Sequence, residues 1–303
     1  MSSFNSQFLY SITIILLGYI LKRTNLLQQK DGEALARIIF NITMPCLIIV
    51  TFSSIKIDGS LILLLVIGIV YGLLLAAVGI FVFRKDERKV KGMLTMMIPG
   101  FNIGMFAYPL VEGIWGKEGL KYFGMFDVGN AFVIFVLCYV IGSYYSGDDI
   151  DIEFKKILYK VLKSMPLLTY VIICLLAIIG IHLPSYVLDV SGIISKANMP
   201  LSLLLLGVYL NFSFQKSYLK KIIMFLSIRY VIGLGVGIAL FFLLPFEDMF
   251  RYTILVCFIL PVAGSVLPYA VEFKYDQKFV GTVSNMTILL SFLLLWGMTN
   301  ILM

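Results

Sequence analysis

Asn102, Asp127, Asn130 and Arg229 sit inside apolar runs long enough to cross a bilayer. An amide side chain offers two donors and an acceptor, and an ionised group at membrane depth is costly enough to be a functional candidate by default. Around Asn102 the run Met97 to Ile114, MIPGFNIGMFAYPLVEGI, interrupts itself with Pro99, Pro109, Gly100, Gly104 and Gly113. Each proline removes a backbone donor and clashes with the preceding turn, and glycine adds nothing to helix stability. Such breaks are tolerated in a membrane where they face protein or line a polar cavity. The breaks expose helix termini whose N-ends attract anions. The chemistry indicated is capture of a carboxylate near the midplane by Asn102 and neighbouring backbone groups. The alternative, compatible with it, is that Asn102 caps a half-helix.

A second disturbed run, Leu260 to Tyr275, LPVAGSVLPYAVEFKY, carries Pro261, Gly264, Ser265 and Pro268. Its residues would form the matching wall of the site, unless Ser265 simply bonds to its own helix backbone. Asn41 and Asn198, ahead of Met44-Pro45 and Met199-Pro200, either hydrogen-bond between helices or lie beside the substrate. Asp127, with Asn130 one turn later on the same face, is a candidate proton- or cation-coupling carboxylate or one half of a fixed ion pair. Arg229 either snorkels towards the cytoplasm, binds the substrate anion or pairs with Asp127. Lys196 is a third charge at membrane depth, whereas Glu112 and Glu272 read as solvated or gating residues. Enzyme chemistry finds no support. The single histidine, His182, lies at a span end, so no His-based metal site or catalytic triad can be built. No P-loop, GxSxG or HExxH pattern occurs. No cofactor is expected, and any coupling ion would be a proton or sodium.

The elements that must position these groups follow from composition. The chain is 60% hydrophobic and 14% charged with mean hydropathy +1.00, far from the quarter of charged residues of a soluble domain. A span needs about 20 apolar residues, which gives ten: 5–22, 35–54, 61–83, 92–114, 119–142, 160–180, 187–211, 218–244, 250–272 and 279–302. The net charge of +7 reports membrane orientation, not nucleic acid. Eighteen of the 24 basic residues fall in the odd-numbered connections, placing those loops in the cytoplasm and both termini outside. The start MSSFNSQFLY lacks a basic n-region and cleavage site, so the first helix is expected to be retained. The four cysteines show no CxxC spacing and read as small buried hydrophobes.

Five spans per half give two halves of opposite orientation: 1–145, a cytoplasmic connector 146–159, and 160–303. Pro109 and Pro268 are 159 residues apart, and Pro45 and Pro200 are 155 apart. Asp127 and Asn285 lie at similar depth in the fifth and tenth spans. Paired broken helices in corresponding places of two halves point to an inverted-repeat transporter.

Several stretches carry a resemblance to a known family. They are NITMPCLI (Asn41 to Ile48), NIGMFAYPL (Asn102 to Leu110) followed by WGKEGL, FDVGN (Phe126 to Asn130), NMPLSLLLLGVYL (Asn198 to Leu210), IRY (Ile228 to Tyr230) and LPVAGSVLPYAVEFKYD (Leu260 to Asp276). Together, and in this order, they resemble the auxin efflux carrier family, in particular the bacterial relatives of the plant PIN carriers. The resemblance implies an all-α integral membrane fold of ten helices in two inverted repeats. Broken helices 4 and 9 cross at the site, as in bile-acid carriers and sodium–proton exchangers. It implies transport of small organic anions such as malonate, malate or auxin-like carboxylates. Asn102, Pro109, Pro261 and Pro268 would lie at the crossing and Asn41 and Asn198 on flanking helices. It further implies elevator-type movement of spans 3–5 and 8–10 against a scaffold of spans 1, 2, 6 and 7, which would also form part of a homodimer interface. The long central loop of the plant carriers is missing, so auxin itself is doubtful as the natural substrate. The reading is a secondary permease in a plasma membrane, bacterial by resemblance, with the lipid bilayer and a small anion as partners. A sodium-coupled symporter and a membrane sensor with a vestigial site are the alternatives.

Overall fold

The computed structural model describes residues 3–53, 55, 58–146, 155, 159, 162–211 and 218–302. Most of the connector expected at 146–159 lies outside the described residues. Among the described residues every regular element is helical, apart from one antiparallel bridge between Phe101 and Val262. Among the described residues six helical stretches are long and apolar enough to cross a membrane: Lys30–Phe52, Gly59–Lys85, Ile103–Tyr145, Ser185–Tyr209, Leu219–Leu243 and Gln277–Ile301. The third, at 43 residues, would run about 65 Å at 1.5 Å per residue, twice a hydrocarbon core. Gly116 divides it with φ 59° and ψ −146°, a backbone conformation open to glycine.

In chain order, α1 is Ser3–Arg23, α2 Gln29–Ile38, α3 Met44–Phe52, α4 Gly59–Val82, α5 Arg88–Met97 and α6 Tyr108–Phe132. There follow α7 (Tyr139–Tyr145), α8 (Met165–Ile178), α9 (Ser185–Ser195), α10 (Asn198–Tyr209) and α11 (Leu219–Leu243). The last three are α12 (Asp248–Cys257), α13 (Val266–Glu272) and α14 (Gln277–Leu302). A π turn, Ile39–Thr43, joins α2 to α3 just ahead of Pro45. Proline is tolerated in the first turn of a helix, so the interruption supplies the start that Pro45 needs. In the second half, a turn at Lys196 and Ala197 separates α9 from α10, and Pro200 again falls in a first turn. Lys196 is exposed at that break.

The chain clusters into two compact units. Unit 1 comprises Met1–Ile62, Gly104–Met125 and Leu162–Leu210. Its centre is the close approach of α1 and α10. A Cβ on Gly18 would lie 2.2 Å from the Leu204 carbonyl oxygen, and one on Gly207 2.0 Å from that of Ile15. Small residues let membrane helices approach to backbone contact. Around this seam Phe8, Met44, Leu47, Ile48, Phe52, Tyr170, Leu203 and Leu206 are buried.

Unit 2 comprises Leu63–Ile103, Phe126–Val161 and Asn211–Met303. It contains the whole interruption between α5 and Ile103 and the whole interruption between α12 and α13. Both runs expected to break do so, at 98–102 and 258–265. The residues of the breaks are buried: Ile98, Phe101, Phe258, Ile259, Leu260, Val262 and Ala263 are each at most 2% exposed. Glycine again sets close approaches, with the Cβ position of Gly129 2.2 Å from the Leu65 carbonyl oxygen and that of Gly233 2.3 Å from that of Phe258.

Candidate functional site

Two stretches of non-helical backbone meet in unit 2. The Asn102 N–H donates to the Pro261 carbonyl at 2.9 Å, beside the Phe101–Val262 bridge. Buried peptide groups outside a helix must find partners, and the flanking helices supply them. Asn130 of α6 accepts from the Phe101 N–H at 2.9 Å and donates from Nδ2 to the Phe101 carbonyl at 3.0 Å. One amide thus satisfies both backbone groups of one residue, as a neighbouring strand would. The same Nδ2 reaches Asp127 Oδ1 at 3.0 Å, which orients a half-buried carboxylate beside the crossing.

On the other broken stretch, Thr287 of α14 has Asn130's task. Its hydroxyl accepts from the Val262 N–H at 3.3 Å and donates to the Ser284 carbonyl at 2.8 Å. Ser291 donates to the Ile259 carbonyl at 2.6 Å. Tyr230 donates to the Thr287 carbonyl at 2.9 Å and lies 2.7 Å from the Ser291 hydroxyl. Sequence reading did not single out Phe101, Thr287, Ser291 or Tyr230. Thr287 could have been reached through spacing: it stands 157 residues after Asn130, close to the 159 between Pro109 and Pro268.

Arg229 is fully buried and among the largest side chains of the interior. It does not snorkel, and the ion pair with Asp127 considered above is not formed. Its guanidinium donates to the carbonyls of Ile98, Gly100, Leu260 and Pro261 and lies 4.4 Å from the centroid of the Phe101 ring. Broken-helix carbonyls outcompete a carboxylate here because they have no helical partner of their own.

The remaining candidates separate. Asn102 is buried at 7% exposure. In the same unit Ser265 is half-buried at the start of α13, Gly264 and Pro268 are exposed, and Pro261 is buried. The Ser265 hydroxyl makes no bond to its own helix backbone, contrary to the second reading of that residue. Gly104 and Pro109 belong to unit 1. Gly104 lies in a π turn, Ile103–Ala107, where Met44 Cε stands 2.5 Å from its Cβ position, and Pro109 is the second residue of α6.

Asn41 and Asn198, also in unit 1, behave differently from each other. Asn41 is exposed and bonds to the Arg37 carbonyl of its own helix at 2.8 Å, so it ties no helices together. Thr43 does so instead, donating to Asn198 Oδ1 at 2.9 Å with Asn198 fully buried. The missed signal is register, since Thr43 and Asn198 each stand two residues before their proline. Glu112 is half-buried with its Oε2 shielded from solvent, so the solvated reading fails for that oxygen. Glu272 is exposed and accepts from Tyr139 at 2.8 Å. Among the described residues no group of three or more His, Cys, Asp or Glu side chains is placed to hold a metal.

Comparison with known proteins adds the family. Residues 6–299 match the family described as membrane transport protein. An uncharacterized transporter of Methanocaldococcus jannaschii is 25% identical over 299 residues, covering 94% of this chain and 95% of the relative. An uncharacterized transporter of Methanothermobacter thermautotrophicus is 27% identical over 287 residues, with 92% of each chain covered. A match over nearly the whole length, on a helical chain with membrane-length apolar stretches and broken helices, places this protein in the membrane transport protein family, that of the auxin efflux carriers.

Proposed function

We propose that this membrane transporter is a secondary active permease for small organic anions, with the carboxylate held beside the crossing in unit 2. The observation that carries the reading is the antiparallel meeting of two non-helical stretches within membrane-length apolar sequence. A chain that only had to span lipid gains nothing from such a meeting. Asn102 and Ser265 would supply the polar contacts there. Gly104, Pro109, Pro268, Asn41 and Asn198 remain candidates from sequence.

The reading includes ten crossings in two inverted repeats, 1–145 and 160–303, both termini outside and a homodimer. Offsets between the halves support the repeats: Thr43 and Asn198, 155 apart, bond to each other in unit 1, and Phe101 and Val262, 161 apart, bridge in unit 2. Contacts between equivalent positions are what a two-fold axis produces. Elevator movement is supported by membership of the units. Unit 1 gathers the first, second, sixth and seventh spans, and unit 2 the third, most of the fifth, and the eighth, ninth and tenth. The segment Gly104–Met125 clusters with unit 1, so the proposed moving body excludes the second arm of the first broken helix. Asp127, half-buried and oriented by Asn130, is the proposed coupling carboxylate, and a carboxylate can take up and release a proton.

The test is uptake of labelled malonate, malate and aromatic carboxylates into proteoliposomes under imposed proton and sodium gradients in turn. Saturable uptake driven by a proton gradient is the expected result. Binding of a carboxylate without flux would make the protein a sensor.

A further inference from the structure

Arg229 is a fully buried cation whose hydrogen bonds go to backbone carbonyls and to no carboxylate. Nη2 lies 2.9 Å from the Gly100 oxygen and 3.0 Å from those of Leu260 and Pro261, while Nη1 takes the Ile98 oxygen. One Nη carries two N–H groups, so its hydrogens are shared among three oxygens at nearly equal range, which surround the charge on that side. The Phe101 ring face closes the cage from one side, and a ring face attracts cations.

Four oxygens converge here because each stands just beyond the C-terminus of a half-helix. Ile98 and Gly100 follow α5, and Leu260 and Pro261 follow α12. A helix C-terminus carries roughly half a negative charge. Two of them meeting therefore place about one negative charge at the crossing, without an ionised side chain. A single guanidinium balances it.

We infer that Arg229 is the resident cation of the crossing: a positioning residue that holds the C-terminal ends of both broken helices together and leaves those carbonyls no coordination for an alkali ion. The crossing is thereby preassembled in every state of the transporter, and a sodium ion is not part of it. The inference goes beyond the proposed function, because it holds whichever anion is carried and is tested without one.

The experiment is thermal unfolding of the full-length protein in detergent, in choline chloride exchanged at constant ionic strength for sodium chloride, potassium chloride or methylguanidinium chloride. Additions of roughly 10 mM stay far below denaturing concentrations. The wild-type midpoint is expected to be equal in sodium, potassium and choline. Arg229→Ala is expected to lower it by about 10 °C and to recover part of that loss in methylguanidinium alone. Arg229→Lys keeps the charge with fewer bonds, and Arg229→Gln keeps two donors without the charge. The midpoint of the Lys variant is expected to lie above that of the Gln variant. A sodium-specific rise of the wild-type midpoint would overturn the inference, and so would a Gln variant as stable as the Lys variant. If Arg229→Ala yields no folded protein, the wild-type salt series and the Lys–Gln order decide. If it folds and ignores methylguanidinium, the inference fails.

Discussion

At the scale of single residues, the crossing depends on side chains that replace a missing helical partner. Asn130 serves the N–H and the carbonyl of Phe101 at once. Asn130→Ala leaves two buried backbone groups unpaired at about 1–3 kcal/mol each, so denaturant unfolding should show a loss of several kcal/mol. Asn130→Asp is expected to be damaging too, since it keeps the acceptor for the Phe101 N–H but loses the donor and adds a carboxylate beside Asp127. Asn102 differs, because the bond by which it holds the crossing, its N–H to the Pro261 carbonyl, is a backbone bond that alanine keeps. Asn102→Ala should therefore fold normally and bind carboxylate at least about tenfold more weakly, a change of 1.4 kcal/mol. Equal affinity in a binding assay would remove Asn102 from the site.

At the scale of elements, two kinds of device fix the helices. The first is close backbone approach. Gly18→Ala or Gly207→Ala drives a methyl into a facing carbonyl in unit 1, and overpacking of this kind costs about 1–3 kcal/mol or more. Gly281→Ala in α14 meets nothing within 4 Å and should be neutral or stabilising by up to about 1 kcal/mol. Midpoints of the three variants measured side by side check this. The second device is capping. Asp58 precedes α4 and accepts from the Ser60 hydroxyl at 2.6 Å and the Leu61 N–H at 3.0 Å. The Ser60 bond above all, then the backbone bonds, hold its carboxyl below the ordinary carboxylate range. A depressed folded-state value means that its contribution is complete above about pH 4, the unfolded value, and fades as pH falls through the folded one. Asp58→Ala should cost about 1 kcal/mol at neutral pH, and the gap to wild type should close on acidification. A gap that stays constant from neutral to acid pH would show that the ionised cap is not its source.

At the scale of the whole molecule, the family and the helical membrane character were readable early, because apolar runs of span length and prolines inside them are local features. The breaks were readable for the same reason: proline and glycine act on their own turn whatever packs around them. Partners were not. Asn41 looked equivalent to Asn198, yet Thr43 makes the bond to Asn198 while Asn41 turns back onto its own helix. Residue type misled where distance from the proline would have been the better guide. The charge of Arg229 is compatible with water, an anion or Asp127 as partner, whereas its actual partners are backbone carbonyls, which look alike at every position of a sequence. A transport prediction belongs to this scale. Asp127→Asn should retain carboxylate binding but lose the response of uptake to an imposed proton gradient, measured in proteoliposomes. An unaltered response would assign coupling elsewhere.

By itself the sequence determined that this chain enters a membrane as helices, where those helices break, and to which family it belongs. Those properties follow from hydropathy, from proline chemistry and from motifs held in order along the chain. Only the tertiary structure decided which groups meet at the breaks: Phe101 against Val262, Asn130 and Thr287 on the freed backbone, and Arg229 on four carbonyls. The physical reason is that a freed peptide group exerts its demand through space, on whatever side chain the fold brings within about 3 Å, and sequence separation carries no record of that distance.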